Sequence, residues 1–539
     1  MKAISYAYGK NHWELDPDLK AVLGSYWPDM TSCAPGLRRF GALAGKRIYE
    51  TAYHVDHEAR PVLVMHDLDG RRVDRVRLSP AHEALLKDLS FINRPPYEGG
   101  SWHHHFALGY MLADPGLYCI LTITNQTVFA IQKYAPEHRD WSARLLAGDG
   151  WGATWMTESQ GGSDLGANTT RAAQKGEGWR LEGEKYFSSG AGLTDLALVS
   201  ARPDGAPGGP KGLALFLVPR LNSEGELNFQ VRRLKDKSAT RSVPSGEVEF
   251  HGAEAFLVGE PGQGIYYILE NLNLSRLANA VAAMGIARKS HFETAFRVQR
   301  RRAFGRSLHA HPLVARDLTD MAVRMAGGTA LAFHAVQAFS AAAEERPPYS
   351  RAYHYARFLT HLAKNRTARH ASAVTQLAME LFGGIGFLEE YAVARWHREA
   401  LITPIWEGPS NIQALDMLEA VHKKKAYEPF LEEFTPLLEK AGPTRAGRGL
   451  RLLETTVTRL RSAKPEEAQW GAKTALTEMA DVAQSALLWS LAEREGGRYE
   501  KLAELYTARF VESRGYPSWA LGERDVWLPE ALREPDGSP

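Results

Sequence analysis

The spacing of apolar residues shifts between the period of a helix and that of a strand along this chain, and the shifts mark out its elements. Before residue 151, ELDPDLKAVL and SPAHEALLKDLSFI each set an Asp or Ser ahead of apolar residues at helical spacing, as an N-cap precedes its helix. From 152 the stretches shorten. WRLEGEKYF, DLALVSAR, GLALFLVPR and GEVEFHGAEAFLVGE are interrupted by GEG, PDGAPGGPKG and NSEGE, which predicts short strands in a compact β domain ending near 264. Helical spacing then resumes. Val374, Leu377, Ala378 and Leu381 recur at i, i+3, i+4 and i+7, and their helix should stop at Gly383 and Gly384. Beyond HKKKAYEPFLEEF and KAGPTRAGRG, Leu450, Leu453, Val457 and Leu460 share one helix face, and Leu476, Met479, Ala483 and Leu487 share another. The expected fold class is α+β, mostly α: a helical domain at 1–151, a β domain at 152–264, a helical bundle at 265–430 and an extra helical domain at 431–539.

Composition adds limits rather than detail. A chain of 539 residues, 44% hydrophobic and 24% charged, is globular and long enough for several domains. Lys and Arg total 65 against 63 Asp and Glu, so no whole-chain field draws it to nucleic acid or acidic lipid. The two cysteines, Cys33 and Cys119, form no disulfide framework, which suits a reducing compartment. MKAISYAYGKNHWELD has no apolar signal region, and no run of about 18 apolar residues occurs, so a cytoplasmic protein without a membrane partner is expected. His103, His104 and His105 are adjacent and do not share a helix face, so no metal site is expected from them.

Five stretches could carry chemistry. TWMTESQGGSDLGANTTRAA (154–173) reads either as a polar turn or as a cradle in which Thr157, Gly161, Gly162 and Ser163 bring donors close to a ligand. It matches neither a dinucleotide-binding nor a P-loop pattern. In EKYFSSGAG, strand alternation would put Phe187 and Ser189 on one face, as a core ring beside a solvated hydroxyl or as a stacking and hydrogen-bonding pair. The arginines of RVQRRRAFGRSL either complement a helix C-terminus or grip a pyrophosphate, with Phe304 against a base. LFGGIGF ends a helix or admits a ligand close to backbone. In IWEGPSNI, Glu407 between Trp406 and Gly408 is either a loop carboxylate or a base in a dry pocket.

Taken in order, MTESQGGSD, KYFSS, LKDKSATRS, RRRAFGRSL, LFGGIGF and IWEGPSNI resemble the motif series of the acyl-CoA dehydrogenase flavoproteins, from about Asp16 to Leu418. The MTE-x-QGGSD and WEG-x-x-NI wordings, with the added C-terminal helices, resemble its AidB branch. The resemblance implies FAD as cofactor, an acyl-CoA or related acyl thioester as substrate, and a homotetramer built as a dimer of dimers. It places Met156 and Thr157 at the flavin ring and Ser163 at phosphates of the cofactor or acyl carrier. Phe187 stands for the family's usual Trp against the flavin, and Ser189 for the Thr that reaches N5. Arg301, Phe304, Gly383 and Gly384 would meet the FAD of a neighbouring subunit, Asn411 joins the cofactor-binding set, and Arg276 would lie near the acyl-carrier nucleotide. Glu407 falls on the base that removes the α proton while the β hydrogen leaves as hydride. Pro409 stands where the family has a hydroxyl, and Asn273 where an Asp is frequent. The AidB branch is also associated with double-stranded DNA through its last domain. From Lys440 on, 15 Lys or Arg balance 15 Asp or Glu, although Arg445, Arg448, Arg451, Arg459, Arg461 and Lys464 bunch together after Lys423, Lys424 and Lys425.

Overall fold

The computed structural model describes residues 5–176 and 178–535, with side chains except at 443–446, so the Arg445 side chain lies outside the described residues. In chain order, α1 (Pro17–Tyr26), α2 (Met30–Leu43) and α3 (Tyr49–His57) precede a hairpin of β1 (Val62–His66) and β2 (Arg72–Arg77). Then come α4 (Pro80–Leu89), α5 (Trp102–Leu112), α6 (Pro115–Tyr134) and α7 (Arg139–Ala147). The expected caps are in place: Asp16 accepts from the Leu19 N–H at the head of α1, and Ser79 from the His82 N–H at the head of α4. Strands β3 (Gly152–Trp155), β4 (Arg171–Lys175), β5 (Gly178–Ser189), β6 (Leu196–Pro203), β7 (Ala214–Pro219), β8 (Gln230–Leu234) and β9 (Ser245–Leu257) follow. The chain then runs through α8 (Gly264–Arg300), the hairpin β10 (Arg302–Ala303) and β11 (Arg306–Ser307), α9 (Pro312–Ala342) and α10 (Arg351–Phe382). It continues with α11 (Ala392–Ile402), α12 (Ser410–Lys424), α13 (Tyr427–Lys440), α14 (Pro443–Ser462), α15 (Pro465–Glu495) and α16 (Arg498–Tyr506). No helix among the described residues is long and apolar enough to cross a membrane.

Two compact units result. In the unit of residues 50–100 and 114–275, β4, β5, β9, β7 and β6 pair in a ring, because β6 bonds both β4 and β7; β3 joins β6 in parallel and β8 joins β9. Alternation along the buried strands serves two cores. Ala197, Val199, Phe216 and Val218 face one side with Trp155, Phe229 and Phe250. Leu196, Leu198, Leu215 and Leu217 face the other, against Val128, Ile131 and Leu145 of α6 and α7.

The second unit holds residues 1–49, 101–113 and everything from Arg276 on. Within it, α10 packs against α9, α11, α12 and α15, and α15 also packs against α9 and α12. Leu476, Met479, Ala483 and Leu487 are buried there, as their spacing predicted, and so are Leu453, Val457 and Leu460 of α14. Close approach is built in at Gly327 of α9, where an added Cβ would sit 2.4 Å from the Tyr506 ring. A polar node also ties the helices: Arg366 of α10 grips Asp481 of α15 through two bonds of 2.6 and 2.9 Å, and the Tyr506 hydroxyl donates to the same carboxylate at 2.7 Å. The three histidines after Ser101 pack as aromatic rings, His103 stacked on Tyr26, His104 against Trp27 and His105 edge-on to Trp102. Burial pushes His103 down to about 4.

Candidate active site

In the β-containing unit, the MTESQGGSD loop leaves the end of β3 and is fixed from below. The Met156 carbonyl accepts from Asn168 Nδ2 at 2.8 Å and from Lys185 Nζ at 3.3 Å, while the Thr157 carbonyl accepts from the Tyr186 N–H at 2.9 Å. Glu158 is buried. It accepts from Lys185 Nζ at 2.8 Å, the Thr169 N–H at 2.6 Å, Thr169 Oγ1 at 2.9 Å and the Thr170 N–H at 3.1 Å. Burial alone would raise the Glu158 carboxyl, but the Lys185 ammonium and these bonds bring it down to about 2. The loop itself is open and tightly turned: Ser163 is exposed, and a Cβ at Gly162 would stand 2.5 Å from Thr157 Oγ1.

The pair gives the first test. Lys185→Met leaves Glu158 buried without its cation, which is expected to cost about 3–5 kcal/mol of stability at neutral pH, read by denaturant unfolding. Because the Glu158 pKa is lowered from 4.5 to about 2, the pair's contribution is present above pH 4.5 and fades as pH falls toward 2, so wild type and variant should converge in acid. A constant gap down to pH 2 would refute this role for the pair.

Phe187 and Ser189 close β5. A register irregularity between Lys185 and Ser188 lets both Lys185 and Ser188 turn inward, so Phe187 and Ser189 stay on the accessible side, with Phe187 54% exposed. Lys235 lies 4.8 Å from the Phe187 ring, and Ser189 Oγ lies 3.0 Å from Ser245 Oγ. Lys237 of the LKDKSATRS motif bonds that serine at 3.1 Å and the Thr240 and Val243 carbonyls at 2.7 Å each.

In the helical unit, Glu407 and Gly408 form a left-handed turn, φ 56° and 88°, immediately before α12. Both carbonyls are gripped. The Glu407 carbonyl accepts from Arg276 Nε and Gln413 Nε2, each at 3.0 Å; the Gly408 carbonyl accepts from Gln413 Nε2 at 2.9 Å and Lys364 Nζ at 2.8 Å. A side chain at 408 would strike Gln413 Nε2 at 2.8 Å, so glycine is required there by space as well as by φ. Trp406 is held by its indole N–H on Asn279 Oδ1, and Asn279 in turn donates to the Thr403 carbonyl at 3.2 Å. Glu407 itself is half-buried.

Arg276, expected beside the acyl-carrier nucleotide, is 2% exposed, with its guanidinium on the Glu407 carbonyl and 3.0 Å from Asp416 Oδ2. Asp416, although burial opposes it, is held below the usual carboxylate range by Arg276. Asn411 is exposed in the first turn of α12, and Pro409 caps that helix without a side-chain hydrogen bond.

Arg301, Phe304, Gly383 and Gly384 gather at neighbouring helix ends. Arg297 donates to the Phe382 carbonyl at 3.1 Å, joining the end of α8 to the end of α10, which stops at Phe382 with Gly383 at φ 69°. Arg301 is exposed, and a Cβ at Gly383 or Gly384 would meet no atom within 4 Å. Arg300 is taken by Glu534. Phe304 occupies the tip of the β10–β11 hairpin, 96% exposed and in a left-handed conformation (φ 48°) that costs a bulky residue about 1–3 kcal/mol.

Residues not singled out from the sequence prove central: Glu158, Asn168 and Lys185 under one loop, and Lys364, Gln413, Asp416 and Asn279 under the other. Their one signal in the chain is a polar residue in a buried register, Lys185 in β5 and Lys364 in α10.

Family profiles match three consecutive stretches: the adaptive response protein AidB N-terminal domain at 5–149, the acyl-CoA dehydrogenase middle domain at 153–253 and the acyl-CoA dehydrogenase C-terminal domain at 262–422. AidB of Escherichia coli (strain K12) is 33% identical over 397 residues, 69% of this chain and 71% of that protein. Acyl-CoA dehydrogenase family member 11 of Caenorhabditis elegans is 32% identical over 317 residues, 57% of this chain and 51% of that one. Among solved structures, Caenorhabditis elegans ACDH-11 in complex with C11-CoA superposes with a TM-score of 0.82 at 25% identity, over 96% of this chain and 94% of that one. The apo form of Bd2924 gives 0.80 at 27% identity, over 90% and 98%. The chain belongs to the acyl-CoA dehydrogenase family, in its AidB-like branch.

Proposed function

We propose that this protein is an FAD-dependent oxidoreductase of acyl-CoA dehydrogenase type, in which Glu407 takes the α proton of an acyl thioester. The observation that carries the reading is the Glu407–Gly408 turn, whose two carbonyls are held by Arg276, Gln413 and Lys364. A general base must be placed to within hydrogen-bond reach of one proton, and a loop fixed at both carbonyls limits the arc of its carboxylate. Trp406, next to Glu407 in the chain, is itself locked by Asn279.

The residues toward the cofactor fit a flavin: an open turn with no room for a side chain at Gly162, hydroxyls at Thr157 and Ser189, and an exposed ring at Phe187. FAD, when bound, accepts the β hydrogen and its electron pair. The chain's own work is to orient the thioester, place the Glu407 carboxylate and exclude water while the α proton moves to a Glu407 carboxylate oxygen and the α–β double bond forms. A homotetramer, built as a dimer of dimers, would give the strained Phe304 tip, Arg301 and the bare Gly383–Gly384 end a neighbour to meet. Anaerobic addition of short, branched and long acyl-CoAs should bleach the flavin with at least one of them; no bleaching with any ends the dehydrogenase reading.

A second reading, binding of double-stranded DNA, draws on Arg448 and Arg451, exposed on α14, and on Trp470, 93% exposed on α15. The basic bunch is smaller than its sequence suggests, since Arg459 pairs with Glu478 and Arg461 lies over the Tyr427 ring. Fluorescence anisotropy with a labelled duplex should show salt-sensitive binding that Arg448→Glu/Arg451→Glu weakens about tenfold or more. Equal affinity in that variant would sink this alternative.

A further inference from the structure

Beneath the Glu407 turn lies a charged side chain to which base chemistry assigns no task. Lys364 sits in the buried face of α10 and is 1% exposed, yet an ammonium there costs far more than the Leu or Met that packing alone would place. Its Nζ donates to the Gly408 carbonyl at 2.8 Å. Around it stand Arg276 from α8, Glu407 from the loop and Asp416 from α12, with His361 and Arg357 on its own helix. Further along α10, Arg324 of α9 and Asp481 of α15 face His370 and Arg366 instead.

We propose that Lys364 is a positioning residue for the reaction at Glu407: it holds the left-handed turn, and with it the Glu407 side chain, through the Gly408 carbonyl. The inference rests on Glu407 being the base. Three observations converge on it. Arg276 is paired with Asp416 at 3.0 Å, whereas the Lys364 ammonium is bonded to the turn itself. Its contact is to Gly408, whose left-handed φ of 88° and lack of space for a Cβ make the turn dependent on being held. Burial and the Arg276 guanidinium push the Lys364 amine down to about 7, while Glu407 pulls the other way, so the two groups sense each other's charge.

The test uses the full-length holoenzyme with Lys364→Met, which loses both the donor and the charge, and Lys364→Gln, which keeps a donor. Hydrogen exchange of the amides at 404–410 is expected to rise about tenfold or more in Lys364→Met, as a charged hydrogen bond is lost, with distant segments unchanged. In Lys364→Met the rate of flavin bleaching at saturating acyl-CoA should fall about tenfold while the acyl-CoA concentration giving half that rate stays within about twofold, and Lys364→Gln, which keeps a donor, should fall less. Unchanged exchange at 404–410, or a saturating rate equal to wild type, overturns the proposal. Should Lys364→Met fail to fold, Lys364→Gln carries both readouts, with changes in the same direction. Should wild type not bleach, or Glu407→Gln bleach normally, it is the base assignment that fails, and exchange at 404–410 still decides whether Lys364 holds the turn.

Discussion

Glu407→Gln is expected to keep its FAD, its yellow colour and its unfolding midpoint while losing about 10²–10⁴-fold in the rate at which acyl-CoA bleaches the flavin, the range for removal of a positioned general base. Structure and chemistry separate cleanly at this position. The bonds that fix the turn run through the Glu407 backbone carbonyl and the Gly408 carbonyl, and a Gln side chain leaves them all in place. Stopped-flow absorbance under anaerobic conditions measures the rate, and circular dichroism confirms the fold. Bleaching within a factor of about five of wild type would remove Glu407 from the role of base. Arg276→Met should look different, since it loosens the turn and strands Asp416, so a fall in activity there should come with a fall in stability.

A stability effect as large as that of Lys185→Met is expected at the node between α10 and α15. Asp481→Asn leaves the Arg366 guanidinium enclosed among α9, α10 and α15 without its counter-charge, and should cost about 3–5 kcal/mol in denaturant unfolding. Replacing the node as a unit, Arg366→Met/Asp481→Leu/Tyr506→Phe, removes the charges together with the hydroxyl that bonds them and should recover most of that loss. If Asp481→Asn costs less than about 1 kcal/mol, the pair is no more than an ordinary surface salt bridge in its energetics. Tyr506 and Asp481 are both raised by burial first, which is the expected state of a node that excludes water.

Much of the fold was legible because local signals and tertiary packing agree. The strand-length stretches between 178 and 257 are strands, the caps at Asp16 and Ser79 form, and α10 stops before Gly383. The proposal of Glu407 as base draws on the order of motifs around it, since nothing in IWEGPSNI alone distinguishes a base from a turn residue. The bond from Arg276 to the Glu407 carbonyl was not legible for a physical reason: an arginine's sequence position fixes its helix face, but what its fork reaches depends on a loop about 130 residues away. Lys185, Lys364 and Asp416 escaped notice for the same cause. Their partners Glu158, Gly408 and Arg276 come from other elements, and a polar residue in an apolar register gives no hint of what will satisfy it.

The way α15 is seated has a consequence for how this chain can be dissected. Leu476, Met479 and Ala483 are buried where α15 packs against α10, and α15 also supplies Asp481 and Gln484, the partners that Arg366 and His370 need once they are covered. The final hundred or so residues are therefore not a detachable cassette: a chain cut after α12 would bare the apolar part of this interface and leave Arg366 without its carboxylate. Functions sought in those helices are better probed by surface substitutions than by cutting them away.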